Sequence, residues 1–119
     1  SEMCIRDRNC YTSGALNMPV KVDIEFVFPR PKSHFGTGKN KDVLKASSPK
    51  YCTSRGNGDI DKLCRSTLDG LSVSAGGSVL EDDCLAVELC ARKRYVKKDE
   101  LPGAYIAISS IDPSILIVY

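Results

Sequence analysis

Two aspartates, Asp59 and Asp61, stand one residue apart in "RGNGDIDKLCRSTLDGL" (Arg55 to Leu71), directly after a glycine-rich approach. In an extended segment, residues two apart point to the same side, so their carboxylates could act together. A second acidic pair, Asp82 and Asp83, stands at the mouth of a later strand-like segment. If that segment lies beside the start of the helix that follows Asp61, three carboxylates converge. Such an oxygen-only cluster suits Mg²⁺, which takes a few carboxylates together with waters and substrate phosphates. On a phosphodiester the ion would activate water and offset the charge building on phosphorus. Arg65, one helical turn after Asp61, adds an anion-binding group. Asp-x-Asp is equally the mark of an acidic turn or a helix N-cap, and the residues alone leave both readings open.

Other chemistries have less to build on. The chain has a single histidine, His34, and no local signature of a Ser-His-Asp or Cys-His triad. Zinc ligation by His34, Cys52 and Cys64 lacks any C-x-x-C spacing. The six cysteines (Cys4, Cys10, Cys52, Cys64, Cys84, Cys90) come without secretory context. They read as reduced thiols of an intracellular protein, some filling the core as small hydrophobes.

From Arg30 to Gly58 hydrophobic periodicity disappears. This segment carries seven basic residues (Arg30, Lys32, Lys39, Lys41, Lys45, Lys50, Arg55) against the single acid Asp42, although the whole chain is only +2. A long connection of this kind is either functional or merely solvated, and its charge would suit a phosphate backbone. Lys32, Lys39, Lys41, Lys45, Lys50 and Arg55, with Lys62 beside the acidic pair, are therefore the candidate DNA contacts.

The elements that must position these groups follow from periodicity. "MPVKVDIEFVFPRP" alternates, with Val20, Val22, Ile24, Phe26 and Phe28 on one face and Lys21, Asp23 and Glu25 on the other. That pattern predicts a strand half-buried on a core and ended by Pro29 and Pro31. Leu63, Cys64, Thr67, Leu68 and Leu71 recur at helical spacing and predict a helix over 62–71, with Asp61 as its N-cap. Lys62, Arg65, Ser66 and Asp69 then face away. "SAGGS" (Ser74 to Ser78) reads as a loop. Val87, Leu89 and Ala91 alternate with Glu88, Cys90 and Arg92 in a second strand, and "GAYIAISSI" predicts a third. The closing "DPSILIVY" lacks polar alternation, and its residues fit an edge strand or a foreign tail alike.

At 119 residues this is a single domain of ordinary globular composition, 42% hydrophobic and 27% charged. No run of about 18 apolar residues would span a bilayer. "SEMCIRD" (Ser1 to Asp7) resembles the conceptual translation of a transposon-type sequencing adaptor. Residues 1–8 are accordingly expected to be non-native, which leaves 9–119 as a partial domain.

Taken in order, "MPVKVDIEFVFPRP", "GDIDKLCRSTLDGL" and "EDDCLAVEL" resemble the RusA-like Holliday junction resolvases over roughly Met18 to Tyr95. That family runs a strand opening Met-Pro-Val-Lys, then D-x-D-N-L-x-K-x-x-x-D-A-L, then D-D-x-Q-V-V. The resemblance implies an α+β fold, a small mixed β-sheet packed with helices. It implies metal-binding aspartates at Asp59, Asp61 and Asp83, with Asp82 beside them, and Mg²⁺, or Mn²⁺ in its place, as the ion. The family's essential lysine falls on Arg65, which keeps the charge and can clamp a phosphate bidentately but cannot donate a proton as lysine does. Asp69 matches the family's helix aspartate. Lys62 replaces the usual asparagine and Leu85 the usual glutamine.

The resemblance further implies a homodimer that nicks four-way DNA junctions during recombination and repair, in the cytoplasm of a bacterium or a phage-infected cell. The family also places a strand and a helix ahead of the Met-Pro-Val-Lys strand, where this chain offers only Asn9 to Asn17. The competing readings are a junction-binding protein without catalysis and an inactive fragment of the same family.

Overall fold

The computed structural model describes residues 2–5, 14–73 and 76–111. Five regular elements appear in it: β1 (Glu2–Ile5), β2 (Val20–Phe28), α1 (Ile60–Leu71), β3 (Ala86–Tyr95) and β4 (Gly103–Ser110). The four strands form one mixed sheet in the order β1-β4-β2-β3. β2 pairs with β3 in parallel and with β4 antiparallel, and β1 adds antiparallel to the outer edge of β4. Glu2–Ile5, set aside in the sequence reading, thus lies within the sheet; the pairing says where the segment lies and nothing of its origin. The residues of "DPSILIVY" lie outside the described part of the chain.

β2 is the spine, and the reason is its alternation. Val20, Val22 and Ile24 are fully buried and Phe26 nearly so, while Lys21, Asp23 and Glu25 take the opposite face. On the apolar side α1 packs down through Cys64 and Leu71, joined by Val79, Leu80 and Ile108. Burying side chains of this size contributes on the order of 2 kcal/mol each. Cys64 and Cys52 are buried free thiols, as expected of small hydrophobes; Cys84 and Cys90 are free and exposed.

The second face of the sheet carries no helix among the described residues and is held by charge instead. Arg92 donates to Glu25 at 2.6 Å, and Arg94 bridges Glu25 and Glu100 at 2.7 and 2.6 Å. These bonds join the edge strand β3 to β2 and to the turn that follows β3.

Two details differ from the sequence reading. The helix starts at Ile60, two residues early, with Asp59 rather than Asp61 as its N-cap. Gly58 sits at φ 83, left-handed backbone that breaks the chain there, and the first helical bond already runs from the Leu63 amide to the Asp59 carbonyl. In β3 the expected alternation is interrupted. Val20 opposes Ala86 but Lys21 opposes Glu88, so Val87 is an extra, bulged residue and is 59% exposed.

The segment that leads into β3 is pinned by Leu80, which is fully buried and bridges Leu16 on one side and Ser72 on the other. Gly77 makes this possible. A Cβ there would stand 2.5 Å from the Gly70 carbonyl oxygen, so only glycine lets the chain double back against the end of α1. The basic segment 30–58 contains only three single-turn 3-10 helices, at Lys32–His34, Gly38–Asn40 and Arg55–Asn57, and one bridge, Phe35 to Leu44.

Candidate active site

A cleft of about 520 Å³ opens between α1 and β3, and Asp61, Arg65, Asp69 and Asp83 all line it. Helix geometry explains three of the four. Asp61, Arg65 and Asp69 follow one another at i, i+4 and i+8, so they form a single stripe with the guanidinium flanked by two carboxylates. Cys64 and Leu68, turned further toward the sheet, form the apolar floor with Leu89 and Ala91 of β3. Asp83 comes from the 3-10 turn Asp83–Leu85, which starts three residues past the buried anchor Leu80.

The two acidic pairs resolve differently from the same-side expectation. That expectation holds for a strand, but Asp61 is already inside the first helical turn, where residues two apart do not share a face. Asp59 is therefore outside the cleft and pairs with Lys62 at 3.5 Å, both side chains largely exposed. Asp82 caps the next turn, accepting the Cys84 amide at 3.0 Å. Among the described residues, no three His, Cys, Asp or Glu side chains stand together as a preformed metal cage.

Electrostatics single out Asp83. Its hydrogen bond to Asp82 holds the Asp83 carboxyl above the usual carboxylate range, and the Asp82 and Asp69 charges add to this. Asp82 is held low, chiefly by the Cys84 amide and then by Asp83. Three negative groups thus crowd one mouth of the cleft, an environment that a divalent cation relieves. Mg²⁺ commonly takes one or two carboxylates plus substrate phosphates rather than a full protein cage, so Asp61 and Asp83 fit it without a third ligand. Burial, and then the Asp61 charge, push the Cys64 thiol up, so this cysteine stays protonated and offers no nucleophile.

The zinc constellation is not assembled. His34 engages Arg30, Cys52 accepts from the Asn57 amide nitrogen, and Cys64 is part of the core. The basic candidates Lys32, Lys39, Lys41, Lys45, Lys50, Arg55 and Lys62 are all exposed. Among them only Lys50 touches an aromatic ring, lying 5.6 Å from the Tyr51 centroid. The 3-10 turn Arg55–Asn57 runs straight into Gly58 and Asp59, so the basic segment is delivered to the mouth of α1.

One functional residue escaped the sequence reading. Lys93 Nζ donates to the Gly58 carbonyl at 2.7 Å and so fastens the backbone just before Asp59 to the sheet. The signal was present: Lys93 falls on the Leu89–Ala91 face of β3, a lone cation on an otherwise apolar stripe.

The profile of the family described as Endodeoxyribonuclease RusA matches residues 3–109 of the chain. Neither a curated protein nor a solved structure matches it. No helix among the described residues is long and apolar enough to cross a membrane.

Proposed function

The chain belongs to the RusA endodeoxyribonuclease family, and from that premise we propose that it is a Mg²⁺-dependent nuclease that resolves four-way DNA junctions in recombination and repair. The observation that carries this reading is the meeting of Asp61, Arg65, Asp69 and Asp83 in one cleft. Asp61 and Asp83 would hold the ion, Mg²⁺ or Mn²⁺ in its place, with Asp59 and Asp82 at the margin. When bound there, it supplies Lewis-acid polarisation of the phosphodiester and acidification of the attacking water.

The chain's own groups do the rest. Arg65 is the guanidinium of the cleft and donates paired N–H bonds to the non-bridging phosphate oxygens, fixing the diester against the carboxylates. Asp69, one turn further along at i+4, lines the same cleft and adds its charge at the end of the stripe. Leu68, Leu89 and Ala91 give the cleft an apolar floor beneath these charges, with Leu89 still 47% exposed. With the Cys64 thiol protonated, water is the nucleophile. Paired nicks across a symmetric junction require two related sites, hence a homodimer. The setting is the cytoplasm of a bacterium or phage-infected cell.

The decisive experiment incubates the protein with a labelled four-way junction and Mg²⁺. Cleavage is expected, and Asp61→Asn and Asp83→Asn should abolish it while junction binding persists. Equal cleavage by Asp61→Asn would sink the proposal. A non-catalytic junction binder predicts salt-sensitive binding indifferent to EDTA, with no product at any metal concentration.

A further inference from the structure

A second cleft, of about 460 Å³, lies at the far end of the same face of β3, where the basic segment leaves β2 and returns toward α1. Its central group is Arg30, a half-buried guanidinium with no carboxylate partner among the described residues. Three contacts hold it in place. Its charge lies over the Tyr95 ring, 4.3 Å from the centroid, and Nη1 donates to the Pro49 carbonyl at 2.7 Å and to His34 Nδ1 at 3.3 Å. Arginine has no acceptor, so His34 Nδ1 must be the acceptor, which leaves Nε2–H as that ring's donor. The His34 ring is itself fixed edge-on against Tyr95 at 5.3 Å.

The engaged nitrogen is thus Nη1. The Nε–Nη2 edge, which pairs side-on with two oxygens of a phosphate, carries no hydrogen bond among the described residues. A cation that is half desolvated, oriented from three sides and left without a counter-charge is arranged for an anion brought from outside.

The position of the cleft says which anion. Tyr95 and Ala91 lie on one face of β3, opposite Phe28 and Ile24 of β2, and Ala91 lines the active-site cleft. Four strand residues separate them, ~13 Å at ~3.3 Å per residue. Because the phosphates wind around the axis as they rise ~3.4 Å each, a straight span of this length covers about two nucleotide steps. We infer that the Arg30 guanidinium forms a second phosphate subsite, in a cleft whose rim Thr53 lines without taking part in the grip. It grips the DNA backbone about two nucleotides from the scissile phosphate and sets which phosphate enters the active site.

This inference rests on the nuclease reading, and its test separates the two. Junction affinity is measured against salt concentration in EDTA for the wild type, Arg30→Gln, Thr53→Glu and Thr53→Gln. Each phosphate contact contributes about 0.9 to the slope of log K against log salt, so Arg30→Gln should lower the slope by about one. Thr53→Glu places a carboxylate at the rim without touching the contacts of Arg30, and should weaken binding roughly tenfold while Thr53→Gln binds as wild type. A junction carrying one methylphosphonate about two steps from the cut should bind wild type more weakly, with no additional loss for Arg30→Gln.

Unchanged slopes in Arg30→Gln and Thr53→Glu, with the wild type still cutting, overturn the subsite alone. Equal damage from Thr53→Gln and Thr53→Glu also overturns it, since charge would then not be the cause. A wild type that neither binds nor cuts junctions overturns the nuclease reading and the subsite together.

Discussion

Replacing Lys93 with methionine tests how the acidic mouth of α1 is held. The side chain keeps its length and its apolar stem but loses the ammonium that donates to the Gly58 carbonyl at 2.7 Å. A hydrogen bond with one charged partner contributes about 1.5–3 kcal/mol, and because Lys93 is only half-buried the lower end, about 1.5 kcal/mol, applies. For a chain of this length 1 kcal/mol moves the melting midpoint by about 4 °C, so a drop of about 6 °C is expected. The larger effect is on function. Gly58 immediately precedes Asp59 and the first turn of α1, and its left-handed backbone is the turn that the lysine fastens to the sheet. A displacement of about 1 Å at a reacting group can cost on the order of 100-fold in rate. Single-turnover cleavage of a labelled junction at saturating Mg²⁺ should therefore fall 10- to 100-fold by that reasoning, with the dissociation constant within about twofold of wild type. Lys93→Arg, which keeps a charged donor, should recover most of the rate. If Lys93→Met melts lower but cleaves at the wild-type rate, the carbonyl anchor contributes stability alone. If binding weakens tenfold and the rate holds, Lys93 is a DNA contact and the positioning argument fails.

Three further outcomes follow from the geometry. Lys62→Asn frees Asp59 from its exposed 3.5 Å ion pair, so the Mg²⁺ concentration giving half-maximal cleavage should fall, with thermal stability within about 0.5 kcal/mol of the wild type, as measured by a metal titration and a thermal melt. The Glu100 carboxyl is drawn from its ordinary 4.5 to about 2, first by its bond to Arg94 and then by the Lys97 amide. A lowered carboxylate stabilises the fold fully above 4.5 and loses that contribution as pH falls toward 2; Glu100→Gln should flatten the decline of the melting midpoint over this window, and a parallel decline in both proteins would refute the assignment. Gly77→Ala puts a methyl group 2.5 Å from the Gly70 carbonyl oxygen, so it should destabilise by about 1–3 kcal/mol in denaturant titration, and an unchanged midpoint would show that the turn can shift.

The strands were legible in the sequence because the core lies mainly on one side of β2, and its period-2 burial survives from Val20 to Phe26, breaking only where Val27 on the other face is buried too. The helix was legible for a similar reason, but its start was not. Periodicity counts apolar residues, and Ile60, though helical, is itself 37% exposed and adds nothing to the buried stripe. That two-residue error had a chemical consequence, since it placed Asp59 and Asp61 on the same side of an extended segment when the second already lies in a helical turn. Asp83 was legible as an acid at a strand mouth, and the main cause of its elevated carboxyl, the bond to its neighbour Asp82, is local; the smaller contribution of Asp69 across the cleft is supplied only by folding. Arg30 was hidden among seven basic residues of one segment. Nothing local distinguishes it from Lys32 or Arg55, and only the return of Pro49 and the end of β3 at Tyr95 make it different.

The charged face of the sheet completes this reasoning. Among the described residues β3 is an edge strand, paired only with β2, and it carries the floor of the active-site cleft, the lysine that fastens Gly58 and the ring beneath Arg30. An edge strand free to slide would displace all three together. Arg92 and Arg94 oppose that motion from the far face. Both donate to Glu25 on the neighbouring strand, and Arg94 also pairs with both Glu100 carboxylate oxygens, at 2.6 and 2.7 Å. Single exposed ion pairs contribute little, but a guanidinium shared between two carboxylates is geometrically constrained in a way that one pair is not. Alternation along β3 therefore divides the labour. Leu89, Ala91, Lys93 and Tyr95 face α1 and the two clefts, while Arg92 and Arg94 face away and hold the strand in register. Removing Glu25 would loosen both arginines at once, and on this reasoning its effect should reach cleavage through β3 even though Glu25 touches neither cleft.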